Sequence, residues 1–79
     1  MKIEVIAFAT LRKYLPELAI GETRTVDVET GTSIKEVLLS LGLPLEEVRV
    51  IMRNNLQAEL GDLVNEGDRI AFIPPIAGG

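Results

Sequence analysis

Apolar and polar positions alternate from Lys2 to Phe8, with Ile3, Val5 and Ala7 on one side of an extended chain and Glu4, Ile6 and Phe8 on the other. This pattern predicts a strand. Thr10–Leu15 reads as a short helical turn that stops before Pro16, because the residue preceding a proline is driven out of the helical region. Beyond Gly21 a second strand is expected over Glu22–Val28, with Val26 and Val28 on a common side, and the short excursion between the two strands suggests an antiparallel pair. Thr30-Gly31-Thr32 then breaks the pattern.

The period changes at Ser33. Ile34, Val37, Leu38 and Leu41 follow the i, i+3, i+4, i+7 spacing of a single buried helical stripe. Ser33 and Glu36 supply the S-x-x-E capping box at its start, Gly42 supplies a left-handed cap at its end, and Pro44 prevents resumption. A helix over Ile34–Leu41 follows. Val48–Arg53 reads as a third strand, with Val48, Val50 and Met52 on one side and Arg49, Ile51 and Arg53 on the other. Asn54-Asn55 is a candidate two-residue turn, since Asn tolerates positive φ, and Leu56–Ala58 returns as a short strand. Leu63 and the turn Asn65-Glu66-Gly67-Asp68 lead to a last strand, Arg69–Ile73, closed by Pro74-Pro75.

One helix for four to five strands defines an α+β domain with the helix on one face of a mixed sheet. No linker, repeat or low-complexity segment divides residues 1–79, so a single domain with 74–79 as an extended tail is expected. The face opposite the helix then carries Ile6, Phe8, Ile51, Ala71 and Ile73 beside Glu4, Arg49, Arg53 and Arg69. Apolar residues rimmed by charge on an uncovered sheet are what a protein-binding surface looks like. Against this stand scattered surface apolar residues of no consequence, and a Phe8 that belongs to the core.

Composition removes several classes of function. The net charge of −4, with only 8 basic residues spread along the chain, opposes binding to a phosphate backbone. One Tyr, two Phe and no Trp give no stacking platform for bases. Nucleic acid is therefore not an expected partner. With no Cys and no His, the usual zinc sites, Cys or His nucleophiles and disulfides are excluded. No metal or bound cofactor is expected, and the carboxylates fall in turns or helix starts rather than in an acid–base pair. No apolar run is long enough to span a bilayer and the first residues do not form a signal peptide, so a cytoplasmic protein without membrane contact is expected. If the chain takes part in a reaction, it does so as a substrate or a subunit, not as an enzyme by itself.

The remaining candidate chemistry is the tail, Pro74-Pro75-Ile76-Ala77-Gly78-Gly79. Neither proline can donate to a strand ladder, and together they hold the exit extended. Such a segment reaches about 20 Å at ~3.3 Å per residue. Gly78 and Gly79 lack side chains, so the tip can enter a channel too narrow for any other residue. At average glycine usage of ~7%, a chance Gly-Gly pair at a given place is about a 0.5% event.

Phe8-Ala9-Thr10-Leu11-Arg12, the helix beginning at Ser33, Leu63 with Glu66-Gly67-Asp68, and the ending Phe72–Gly79 together resemble the ubiquitin-like sulfur carriers, in their molybdopterin synthase small-subunit branch and, related to it, the thiamine sulfur carriers. The Pro-Pro-hydrophobic-x-Gly-Gly ending and the Phe-Ala-x-Leu-Arg segment look more like the molybdopterin branch. Asn54-Asn55 departs from the Asn-Gly common in relatives. The resemblance implies a β-grasp fold and a C-terminal diglycine that is adenylated by a ubiquitin-activating-like adenylyltransferase using ATP, then converted to a thiocarboxylate. It implies that Gly79 bears the sulfur, that Gly78, Ala77 and Ile76 pass through a channel, and that Pro74 and Pro75 aim them. It further implies that Phe8 and Arg12 contact the activating enzyme or the large subunit of molybdopterin synthase, with Ile73 joining Phe8 on its face, and the strand alternation adds Ile6 and Ile51 to that contact surface. Sulfur delivery for thiamine, a tungsten cofactor or tRNA thiolation, a ubiquitin-like protein modifier, and a regulatory module without terminal chemistry are the alternatives. A free Gly-Gly end speaks against the last.

Overall fold

The alternation at the start of the chain becomes strand β1 (Lys2–Ala7), followed by a 3₁₀ helix over Ala9–Tyr14 and strand β2 (Arg24–Asp27). Helix α1 (Ile34–Ser40) and a 3₁₀ turn over Leu45–Glu47 lead into β3 (Val50–Arg53), β4 (Leu56–Ala58) and β5 (Arg69–Ile73). The computed structural model describes residues 1–75.

The strands form one mixed sheet in the order β2-β1-β5-β3-β4. β1 runs parallel to β5 and antiparallel to β2, and β3 runs antiparallel to both β5 and β4. The last strand in sequence therefore occupies the middle of the sheet. The helix starts where Ser33 and Glu36 complete their reciprocal cap, the Ser33 hydroxyl accepting from the Glu36 N–H and the Glu36 carboxylate from the Ser33 N–H. It ends on Gly42 at φ +77°. There the Gly42 N–H donates to the Leu39 carbonyl and the Leu43 N–H to the Leu38 carbonyl, the paired bonds of a Schellman cap. Leu38 and Leu43 are both buried, so the apolar contact that accompanies this cap joins the core.

The core is one cluster. Ile3, Val5 and Ala7 of β1, Ile51 of β3, Ala58 of β4 and Ile70 and Phe72 of β5 pack with Ile34, Val37 and Leu38 of α1. Leu11, Leu15, Leu43 and Val64 from the connections complete it. The β3–β4 hairpin turns at Asn54 and Asn55, both at positive φ as a type I′ turn demands. Asn54 also ties this hairpin to β5, its backbone N–H donating to the Arg69 carbonyl at 2.9 Å and its side-chain oxygen accepting from the Arg69 N–H at 2.9 Å. Asp68, the buried charged residue among those described, accepts from the Asn54 side chain at 3.0 Å and the Asn65 N–H at 2.8 Å, with the Arg53 guanidinium 4.0 Å away.

Strand β3 corrects the sequence reading. Ile51, expected on the uncovered face, is 7% exposed and lies in the core. The reason is register: Ile51 stands opposite Phe72 of β5 and Ala58 of β4, both core residues, and a strand fixed at one position has every other side chain fixed with it. Arg53 shares the Ile51 side, where it donates to the Leu63 carbonyl. Arg49 lines a groove with Leu45, Ile51 and Leu60 on that side too, rather than rimming the uncovered face.

Candidate functional site

The outer face of the sheet is built by three central strands. Parallel pairing places Ile6 beside Ala71, and antiparallel pairing places Met52 beside Ala71 and Val50 beside Ile73. Phe8 follows β1 directly, and its N–H donates to the Phe72 carbonyl at 3.1 Å, which continues the ladder by one residue. The chain then turns at Ala9, a non-glycine residue at φ +51°, into the 3₁₀ helix. Leu11 and Leu15 bury that helix against the core, which fixes where Phe8 leaves the sheet. The result is an open hollow of about 320 Å³ lined by Ile6, Phe8, Met52, Asn55, Arg69, Ala71 and Ile73.

Three expected contact residues meet there. Phe8 is 42% exposed, which places it on the surface rather than in the core. Ile73 is half-buried on the same face. Ile6 is buried at 4% and forms the floor of the hollow. Arg12 is exposed on the 3₁₀ helix and shares with Phe8 a smaller, neighbouring pocket whose other wall is the connection through Leu18, Ile20 and Gly21. Ile51 is not part of the site. Met52 takes that place, a residue the alternation of β3 had assigned to the core. Ile20, at 83% exposure beside Phe8, was also missed, and only its isolation in a polar loop signals it.

Pro74 is buried and Pro75 exposed, so the prolines mark the step from sheet to surface at the Ile73 end of the hollow. The expected tail residues Ile76, Ala77, Gly78 and Gly79 lie outside the described residues.

Among the residues lining the hollow, Arg69 alone is ionisable. The arrangement offers an apolar floor and a cation, which suits docking rather than acid–base chemistry. Elsewhere on the surface, carboxylates are held by local partners. A hydrogen bond from Arg24 keeps the Glu17 carboxyl below its ordinary range, and a hydrogen bond from Lys2, with its charge, does the same for Asp27. The described residues contain no group of acidic side chains placed to hold a metal ion, and no helix among them is long and apolar enough to cross a membrane.

A mixed five-stranded sheet gripping one main helix defines a ubiquitin-like β-grasp domain. The chain belongs to the Mut7-C ubiquitin family, whose model matches residues 1–77. Solved structures share its fold. SAMP1 from Haloferax volcanii is similar over 100% of both chains, with a TM-score of 0.76 at 24% identity. A putative molybdopterin converting factor subunit 1 from Pyrococcus furiosus aligns over 95% of this chain and 98% of its own, with a TM-score of 0.72 at 16% identity. In a complex of subunits 1 and 2 of molybdopterin-converting factor from Helicobacter pylori, the matching chain is covered in full by all of this one, with a TM-score of 0.65 at 22% identity. No curated protein matches the chain.

Proposed function

We propose that this domain is a sulfur carrier, activated at the Gly79 carboxylate and docked through its uncovered sheet face, and that it donates sulfur in molybdopterin synthesis beside a larger catalytic subunit. Its main support is the position of β5. This strand is held between β1 and β3 and ends at Pro74-Pro75 beside the Phe8–Ile73 hollow. A partner seated on the hollow therefore lies next to the root of the segment that carries Gly78-Gly79. The likeness in fold to molybdopterin converting factor subunit 1 supports the same reading.

In this reading the domain is a substrate and subunit, and the chemistry sits on its tail. The Gly79 carboxylate attacks the α-phosphorus of ATP on an adenylyltransferase and pyrophosphate leaves. A persulfide sulfur then attacks the acyl-adenylate carbon and AMP leaves. Cleavage of the remaining S–S bond by a thiol gives the thiocarboxylate, whose sulfur is the nucleophile for the acceptor. Adenylation is what makes an unreactive carboxylate an acyl donor.

The test is sulfur transfer in a reconstituted system with chains ending at Gly79, shortened by Gly79, or extended by one residue. Each change moves the terminus by about 3.3–3.6 Å, and a misplacement of about 1 Å can cost ~100-fold in rate. Only the chain ending at Gly79 is expected to react, with one oxygen replaced by sulfur in its intact mass. Equal activity from all three overturns the reading, and so does a native chain whose mass shows it continuing past Gly79. Isopeptide-linked lysines in place of sulfur would make the domain a protein modifier.

A further inference from the structure

Arg69 stands at the far end of the hollow from the tail. It and Ile73 bracket β5, so they lie about 13 Å apart at ~3.3 Å per residue. Its backbone is clamped on both sides by Asn54, which accepts from its N–H and donates to its carbonyl. Its side chain is exposed and makes no ion pair among the described residues, which is true also of Arg12, Lys13, Lys35 and Arg49, but Arg69 is the cation that lines the hollow. Glu4 is its neighbour across the parallel ladder, on the same face, but the Glu4 carboxylate is turned to the Thr23 hydroxyl at 2.7 Å. A chain with a net charge of −4 thus places a cation that makes no direct ion pair on a fixed backbone beside an apolar hollow.

Building on the docking face proposed above, we infer that Arg69 determines which partner protein binds, by pairing with a carboxylate at the edge of the partner's apolar contact. The apolar floor of Ile6, Ala71 and Met52 excludes a nucleic-acid backbone as the occupant and calls for a protein side chain in the hollow. A carboxylate beside that side chain meets Arg69 and suppresses partners carrying a cation there. Because Arg69 and the tail root lie at opposite ends of β5, the pair also fixes the direction in which a partner lies along the strand, with its active site toward Pro74.

The test uses the complete protein and its purified adenylyltransferase. Adenylation is followed by pyrophosphate exchange, and Kd by calorimetry at ~50 and ~300 mM salt. Arg69→Glu is expected to raise Kd and KM about 10- to 100-fold with kcat nearly unchanged, since like charges facing each other across an interface oppose association. Salt should shrink the difference, and Glu4→Gln, which removes the negative charge beside Arg69 that repels a partner carboxylate, should tighten binding. Reversal of the facing carboxylate to Lys on the enzyme should restore Arg69→Glu. Unchanged Kd for Arg69→Glu overturns the inference while leaving the terminus reading intact, and self-association of the chain through this face overturns it too. Failure of the wild-type chain to be adenylated removes both.

Discussion

The packing of α1 on the sheet is tested at Leu38, which is 0% exposed and sits at the third position from the helix end, under the Schellman cap. Leu38→Ala removes three side-chain carbons, worth about 2.4 kcal/mol at ~0.8 each. The cavity left behind adds to this, for a total of about 3–4 kcal/mol within the usual range of roughly 2–5. A domain of this length has a stability on the order of 4–12 kcal/mol, so the variant loses a large share of it. Urea unfolding followed by circular dichroism should show the midpoint falling by about 3 M at a slope of ~1 kcal/mol per M, and Tm should drop by about 12–30 °C. Leu39 is the matched control, the next residue along the helix yet 54% exposed. Leu39→Ala should change stability by less than about 0.5 kcal/mol. A Leu38→Ala cost under about 1 kcal/mol, or two equal costs, would show that the buried stripe has been assigned to the wrong face of α1.

The two faces of the sheet separate in a second pair, Phe8→Glu and Ile51→Glu: the first should leave the unfolding free energy within ~1 kcal/mol of wild type while abolishing partner binding in calorimetry, and the second should unfold the domain, because it buries an unpaired charge. Unfolding by Phe8→Glu with binding retained would reverse the assignment. The Asp27 carboxyl, held low by the Lys2 hydrogen bond and to a lesser degree by the Met1 ammonium, should titrate in a carbon-13 NMR series below the ordinary aspartate value of about 4, and Lys2→Ala should raise it part of the way back. A folded pKa below the unfolded one means that this bond's contribution is complete above the unfolded value and vanishes as pH falls through the folded one. A midpoint unmoved by Lys2→Ala would show that the contact is not formed in solution.

Much of this fold is legible in local chemistry. The helix announces its first residue through Ser33 and Glu36 and its end through Gly42, because capping is satisfied within a few residues of the chain. β5 matches its expected span, Arg69–Ile73, because a tight turn and two prolines bound it. β3 is different. Val48-Arg49-Val50-Ile51-Met52-Arg53 carries apolar residues in both phases, and the arginines at 49 and 53 argue for pointing Ile51 outward. Only the pairing of Ile51 with Phe72, a residue far along the chain, decides otherwise, and Arg53 is tolerated inside because the Leu63 carbonyl and Asp68 receive it. The same non-locality hid Leu11 and Leu15, whose burial depends on a 3₁₀ segment too short to show a period. At the site, Phe8 and Ile73 follow from strand parity alone, whereas Met52 inherits the uncertain phase of β3.

The parallel pairing of β1 with β5 has a mechanical consequence. Lys2 begins one strand and Ile73 ends its neighbour, so the two ends of the domain emerge from opposite ends of adjacent strands. A force drawing the tail away from the amino terminus runs along both strands and shears their hydrogen bonds together, rather than peeling them one at a time. The ladder from Glu4 to Ala7 against Arg69 to Phe72 must give way as a unit. A pull on the chain beyond Pro75 against a held amino terminus therefore loads the whole β1–β5 ladder in shear, and the domain resists it as a unit instead of unravelling strand by strand.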